Sequence, residues 1–237
     1  MIVEVCVDTP EGLAAALAGG ADRIELCAAL GVGGLTPSLG FMRLAARAGV
    51  PVHVMIRPRA GGFVYTADEL AVMAADIAMA RDCGLAGIVF GASLPDGRLN
   101  AAAMAPLIGG AGGLSLTLHR AFDLVPEAGE ALETAVALGF DRILTSGGEP
   151  GAAAGVVRLV ALQRQAAGRI IILPGAGITA RTVAALAPMR PEEVHASCSV
   201  TRVVAGRAVE LGFGPGVERV TEAAMVRALR AALGRIR

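Results

Sequence analysis

Alternation within several short apolar runs sets residues capable of chemistry at every second position. In residues 2–7 these are Glu4 and Cys6, with Asp8 just beyond; in 23–27, Glu25 and Cys27; in 52–57, His53, Met55 and Arg57. Residues 115–120 add Thr117 and His119, and 193–199 add His195 and Ser197. Thiol, thioether and imidazole are donors for a soft metal ion, carboxylate and imidazole carry protons, and guanidinium grips anions. Cys6 and Cys27 end consecutive runs. If these are neighbouring strands about 4.8 Å apart, their sulfurs can close on one ion, with Met55, His53 or His119 as further donors. Thiolate and thioether select Cu(I) or another soft ion over Mg²⁺ or Ca²⁺.

The same residues support a second chemistry. Arg57 and Arg120 can clamp a small anionic substrate, phosphate or carboxylate, with Glu25 or Asp123 as general base and His119 as acid or electrophile. Two glycine-bearing turns, 145–148 and 174–177, place Ser146, Gly147, Gly175 and Gly177 where backbone N–H groups can meet an anion, and Arg59 and Ser197 lie near the same end. The plainer alternative is structural, with Glu25 paired to Arg57 and the histidines bonded to backbone or water. Cys83 and Cys198 fall outside the inward set and read as structural.

Composition removes several mechanisms. All 21 basic residues are Arg, Trp is absent and Tyr65 is the only tyrosine. Without a primary amine on a side chain there is no Schiff-base aldolase, phosphate-loop lysine or pyridoxal linkage. Net charge is zero with Arg spread along the chain, so neither nucleic acid nor an anionic membrane is an expected partner. Glu4 and Asp8 interrupt the first apolar run, so no secretory signal is expected there, and no uninterrupted apolar run is long enough to span a bilayer. A cytoplasmic location is the resulting expectation, with four free thiols and no disulfide.

These side chains must be positioned by a repeat. Eight short β-type runs begin at residues 2, 23, 52, 87, 115, 142, 169 and 193, with Ala/Leu-rich stretches of helical length between them, as in 10–20, 67–83, 126–138 and 179–187. Eight βα units within 237 residues, without a linker, predict a single (β/α)₈ TIM barrel over 1–237. Gly19, Gly49, Gly84 and Gly139 mark expected helix ends. Residues 200–216 fit no repeat and read as an irregular connection before a last helix over about 217–234. Alternate residues of a barrel strand face the lumen, where a purely structural interior would be Val, Ile and Leu. Here the lumen set is polar, which predicts a site at the C-terminal mouth.

The strings EVCVD (4–8), GADRIELC (20–27), GGLTPSLG (33–40), MIRPR with GGFVY (55–65), HRAFD (119–123), GFDRILTSGG (139–148) and PGAGI (174–178) resemble those of the CutC family, called copper homeostasis proteins. The resemblance runs in order over about four fifths of the chain. It implies a cytoplasmic (β/α)₈ barrel that forms homo-oligomers, dimers or tetramers. It also implies Cu(I) held by Cys6 and Cys27; to that pair the strand parity adds Met55 or His119 as further ligands, with Glu25 and Arg57 as supports. The chain departs from the family at 202–213, RVVAGRAVELGF, where relatives carry an Arg-Asn pair in a longer polar loop.

Overall fold

The structure is a computed structural model that describes residues 1–236. Eight parallel strands form the barrel: β1 (Ile2–Val7), β2 (Arg23–Leu26), β3 (Val52–Met55), β4 (Gly87–Phe90), β5 (Ser115–Leu118), β6 (Arg142–Thr145), β7 (Ile171–Pro174) and β8 (Glu193–Ala196). Consecutive strands pair from β1 to β7, and β8 pairs with β1. β7 and β8 are neighbours without a hydrogen-bonded ladder, so the ring is nearly closed, with one seam.

Register keeps the two faces separate. Val5 aligns with Ile24, Ile24 with Val52, Val54 with Ile88, and Leu118 with Ile143, so the outward side chains meet apolar partners all round the ring. These residues are buried in one continuous core with the surrounding helices, each contributing about 1.5–3 kcal/mol relative to exposure. On the other face Cys6 aligns with Glu25, Glu25 with His53, His53 with Gly87 and Gly87 with Ser115. A slip of one residue would exchange the faces and bury charges against helices.

The outer layer holds α1 (Pro10–Gly19), α2 (Leu39–Ala45), α3 (Ala67–Asp82), α4 (Ala101–Gly110), α5 (Ala128–Ala137) and α6 (Val156–Ala166), with α8 (Ala223–Leu233) after β8. Sequence explains their limits. The Thr9 hydroxyl accepts from Gly12 N ahead of Pro10, and Thr66 and Glu69 form a capping box on α3. The left-handed cap of α1 is Gly20 rather than Gly19. Gly19 serves packing instead: a Cβ there would stand 2.5 Å from Val226 Cβ on α8.

Two expected helices are corrected. In 179–187 only Val183–Leu186 is helical, as a 3₁₀ turn. Thr182 Oγ1 accepts from Thr179 N and donates to Gly177 O, a local alternative to the helix ladder, and Pro188 bars any extension beyond Ala187. The last helix begins at Ala223, not near 217. Residues 217–221 form β10 (Val217–Thr221), antiparallel to β9 (Ser199–Val203), and the intervening turn carries the short α7 (Arg207–Glu210). The alternating β-branched residues of VERVT suit a strand, and its partner SVTRV has the same character. The seventh strand starts at Ile171, two residues after the expected Arg169. Among the described residues no helix is long and apolar enough to cross a membrane.

Candidate metal centre and the cavity above it

The motif Gly-x-Asp-Arg occurs twice, at 20–23 and 139–142, and both copies build the lower lumen. Asp22 Oδ2 accepts from Val3 N at 2.8 Å and Asp141 Oδ2 from Leu116 N at 2.7 Å, each tying a strand start to the strand before it. The following Arg points inward. Arg23 bridges Glu4 and Glu193, and Arg142 reaches Glu193 Oε2 at 3.2 Å. All four are buried, so the two guanidiniums and two carboxylates balance one another in a place where an unpaired charge would be costly.

Glu4 connects this base to the layer above. Its Oε1 lies 2.8 Å from His195 Nδ1, which leaves Nε2 turned toward Glu25 Oε2 at 3.8 Å. Burial alone would raise the Glu4 carboxyl, but the His195 hydrogen bond and the Arg23 and His195 charges hold it well below the usual carboxylate range. Burial opposes charge on His195, yet the Glu25 and Cys6 groups beside it raise its basicity well above that of a free imidazole. Glu25 is raised by burial, and its Oε1 has no partner among the described residues.

Cys6, Glu25 and His195 each offer one ligand atom, and those atoms lie within 4.8 Å of one another. Cys27 adjoins the group, its Sγ 3.5 Å from Glu25 Oε2, and burial raises its thiol pKa well above the ordinary value. Met55 packs with Cys27 and Val89 in a small apolar cluster on the lumen side. Parity places His195 in the lumen set but does not mark it as a metal donor; its position opposite Glu4 across the β1–β8 ladder is the signal that could have done so.

The remaining candidates are distributed differently. Arg57 does not pair with Glu25: its Nη1 donates to Val32 O and Gly34 O and its Nη2 to Gly61 O, so it clasps two loops, leaving Nε buried without a partner among the described residues. Arg59 is paired with Glu69 and carbonyls of its own loop. His119 packs against Phe63 with the rings tilted and their centroids 4.6 Å apart, its Nδ1 accepts from Ala121 N, and burial lowers its pKa to about 3. Asp123 accepts from Thr145, Ser146, Gly148 N and Arg120 Nε. The turn that carries Ser146 and Gly147 thus already holds an anion, the chain's own Asp123 carboxylate. Gly175 presses against β6, where a Cβ would lie 2.5 Å from Leu144 Cδ1.

A cavity of about 430 Å³ opens above β1, β7 and β8, over the seam in the barrel. Cys6 and His195 line it together with Arg120, Gly177 and Ser197, so five residues of the expected lumen and ligand sets meet there. It also receives Arg219, Thr179 and Ser199. Arg219 belongs to β10, within a stretch whose sequence reads as helix, so nothing in the pattern points it toward the mouth.

Comparisons with known proteins agree with this architecture. The CutC family model matches residues 1–200. A CutC family protein of Rhizobium meliloti is 58% identical over 233 residues, covering 98% of this chain and 95% of its own length. Another from Vibrio cholerae is 48% identical, covering 84% and 80%. The crystal structure of the CutC protein of Streptococcus agalactiae, named for copper homeostasis, superposes with a TM-score of 0.80 at 32% identity, covering 83% of this chain and 98% of that one. Thiamine phosphate pyrophosphorylase of Pyrococcus furiosus, at 14% identity and a TM-score of 0.61, shares the fold alone. Matched along nearly all of its barrel by the family model and along almost its whole length by relatives, this chain belongs to the CutC family.

Proposed function

We propose that the chain handles copper, binding Cu(I) as cargo at the floor of the barrel mouth. The observation that carries this reading is the convergence of the Cys6 thiol, the Glu25 carboxylate and the His195 imidazole within 4.8 Å, with Cys27 beside them. Cys6, Cys27 and His195 supply the soft and borderline donors that Cu(I) prefers. Glu4 acts one step behind, fixing the His195 ring through Nδ1 so that Nε2 serves as the donor, the usual support of a metal-binding histidine. Glu25 Oε1, without a partner among the described residues, fits a group awaiting a cation or proton. Copper homeostasis, the role in the name of the Streptococcus agalactiae relative, is assigned to this chain within the same proposal.

The test is an anaerobic Cu(I) titration against a competing chromophoric chelator, comparing wild type with the Cys6→Ser, Cys27→Ser double variant. Loss of both thiolates is expected to weaken binding by about 100-fold or more, the loss of two charged donor contacts. Equal affinity in the two proteins would reject the reading.

A further inference from the structure

The cavity is far larger than a metal ion needs, and its walls have a consistent character. Among the described residues, those lining it include two arginines and His195 but no carboxylate. Arg120 spends Nε on Asp123 and Nη2 on Ser146 Oγ at 3.0 Å. Arg219 has no acidic partner among the described residues. Its Nε donates to Ser199 Oγ at 3.0 Å and its Nη2 to Ser197 Oγ at 3.3 Å, which holds the guanidinium over the mouth. Met225 and Leu229 of α8 and Ile178 add apolar side chains to the lining.

We propose that this cavity binds a small metabolite with an oxyanion, phosphate or carboxylate, at one end and a short apolar body, its anionic end held by Arg219 and Arg120 with the Ser197 and Ser199 hydroxyls. A guanidinium without a carboxylate partner, set among hydroxyls in a concave site, gives an anion charge-assisted hydrogen bonds in place of water. The loops after β7 and β8 are also where barrels of this fold frequently hold anionic groups. A volume of about 430 Å³ sits at the small end of the range for small-molecule sites. The β9–β10 hairpin thereby gains a role: it carries Arg219 to the mouth, and Arg219 lies beyond residues 1–200, the stretch the family model matches.

Anion binding at Arg219 does not depend on copper, and the experiment keeps the two apart. Calorimetric titrations with inorganic phosphate and, separately, with acetate would be run without added copper on wild type, Arg219→Gln, Arg219→Lys, and Arg202→Gln as a control of equal charge change on the exposed face of the hairpin. Phosphate binding only, or acetate binding only, assigns the anion type. The expected result is dissociation constants about ten-fold or more higher for Arg219→Gln, consistent with one lost charge-assisted contact. Arg219→Lys should be intermediate, with Arg202→Gln close to wild type. The proposal is overturned if wild type binds neither anion at millimolar concentration. It is also overturned if Arg219→Gln matches wild type or if Arg202→Gln loses as much.

Discussion

Replacing Arg23 with Met tests whether the lower lumen is held by charge balance. Arg23 bridges Glu4 and Glu193, and all three are buried. Its removal leaves Glu4 with His195 Nδ1 at 2.8 Å and Glu193 with Arg142 Nε at 3.2 Å, so each carboxylate keeps one cationic neighbour. Breaking a buried pair typically costs 3–5 kcal/mol because a charge is stranded; two half-compensated carboxylates place this case near the lower end, about 3 kcal/mol. For a chain of this size that corresponds to a melting temperature about 6–12 °C lower. Thermal melts at pH 7.5 measure it, and a urea midpoint shift with unchanged slope would confirm that the folded state is what changed. Glu4→Gln in the Arg23→Met background should then cost less than in wild type, by about 0.5–3 kcal/mol, because the stranded charge is gone. A loss under about 2 °C, or strict additivity of the two substitutions, would refute the reasoning.

The other predictions concern affinity, pH and space. Glu4→Gln should weaken Cu(I) binding by about 10–100-fold in chelator competition while leaving all candidate donors in place; unchanged affinity would remove Glu4 as the support of His195. Burial holds His53 at about 4 and His119 at about 3, against 6.5 for a free imidazole. The unfolded chain therefore binds more protons below that value, and these two groups make stability fall as pH drops from about 6.5 toward 4. His195 has the opposite sign: its pKa is raised, so its contribution is full below 6.5 and is lost as pH rises through its folded value. Melting curves should show a shallower acid loss in His119→Asn, whose side-chain oxygen can still accept from Ala121 N; an identical acid profile would contradict this. A Cβ at Gly87 would stand 2.7 Å from both His53 Cδ2 and the Ser115 carbonyl, so Gly87→Ala should destabilise by about 1–3 kcal/mol in a urea titration. No effect would mean that the lumen is looser than these contacts require.

The barrel is legible because one physical constraint repeats eight times. A strand covered by helices on one face and a polar lumen on the other alternates with period two, and Val3, Val5 and Val7 against Glu4 and Cys6 show it plainly. Parity locates Cys6, Cys27, His119 and His195 on the lumen side, though it cannot sort them by height or distance. The partners of Arg57 are not legible, because backbone carbonyls at Val32, Gly34 and Gly61 leave no side-chain signature. Nor is the occupant of the 145–148 turn, since Asp123 lies more than twenty residues away in sequence. The hairpin escapes a sequence reading because VERVT runs directly into the Ala-, Leu- and Arg-rich pattern of α8, and a short strand before a helix has little pattern of its own. With it goes Arg219, the cationic group whose place at the cavity depends wholly on that hairpin.

X-ray absorption at the copper edge, on protein loaded anaerobically with one equivalent of Cu(I), tests the central claim most directly. Copper held at the floor of the mouth should show a first shell containing sulfur from Cys6 and Cys27 and an imidazole nitrogen, with the nitrogen lost in His195→Gln and the sulfur lost in the Cys6→Ser, Cys27→Ser variant. A shell of oxygen and nitrogen alone, or one that neither substitution changes, would contradict it.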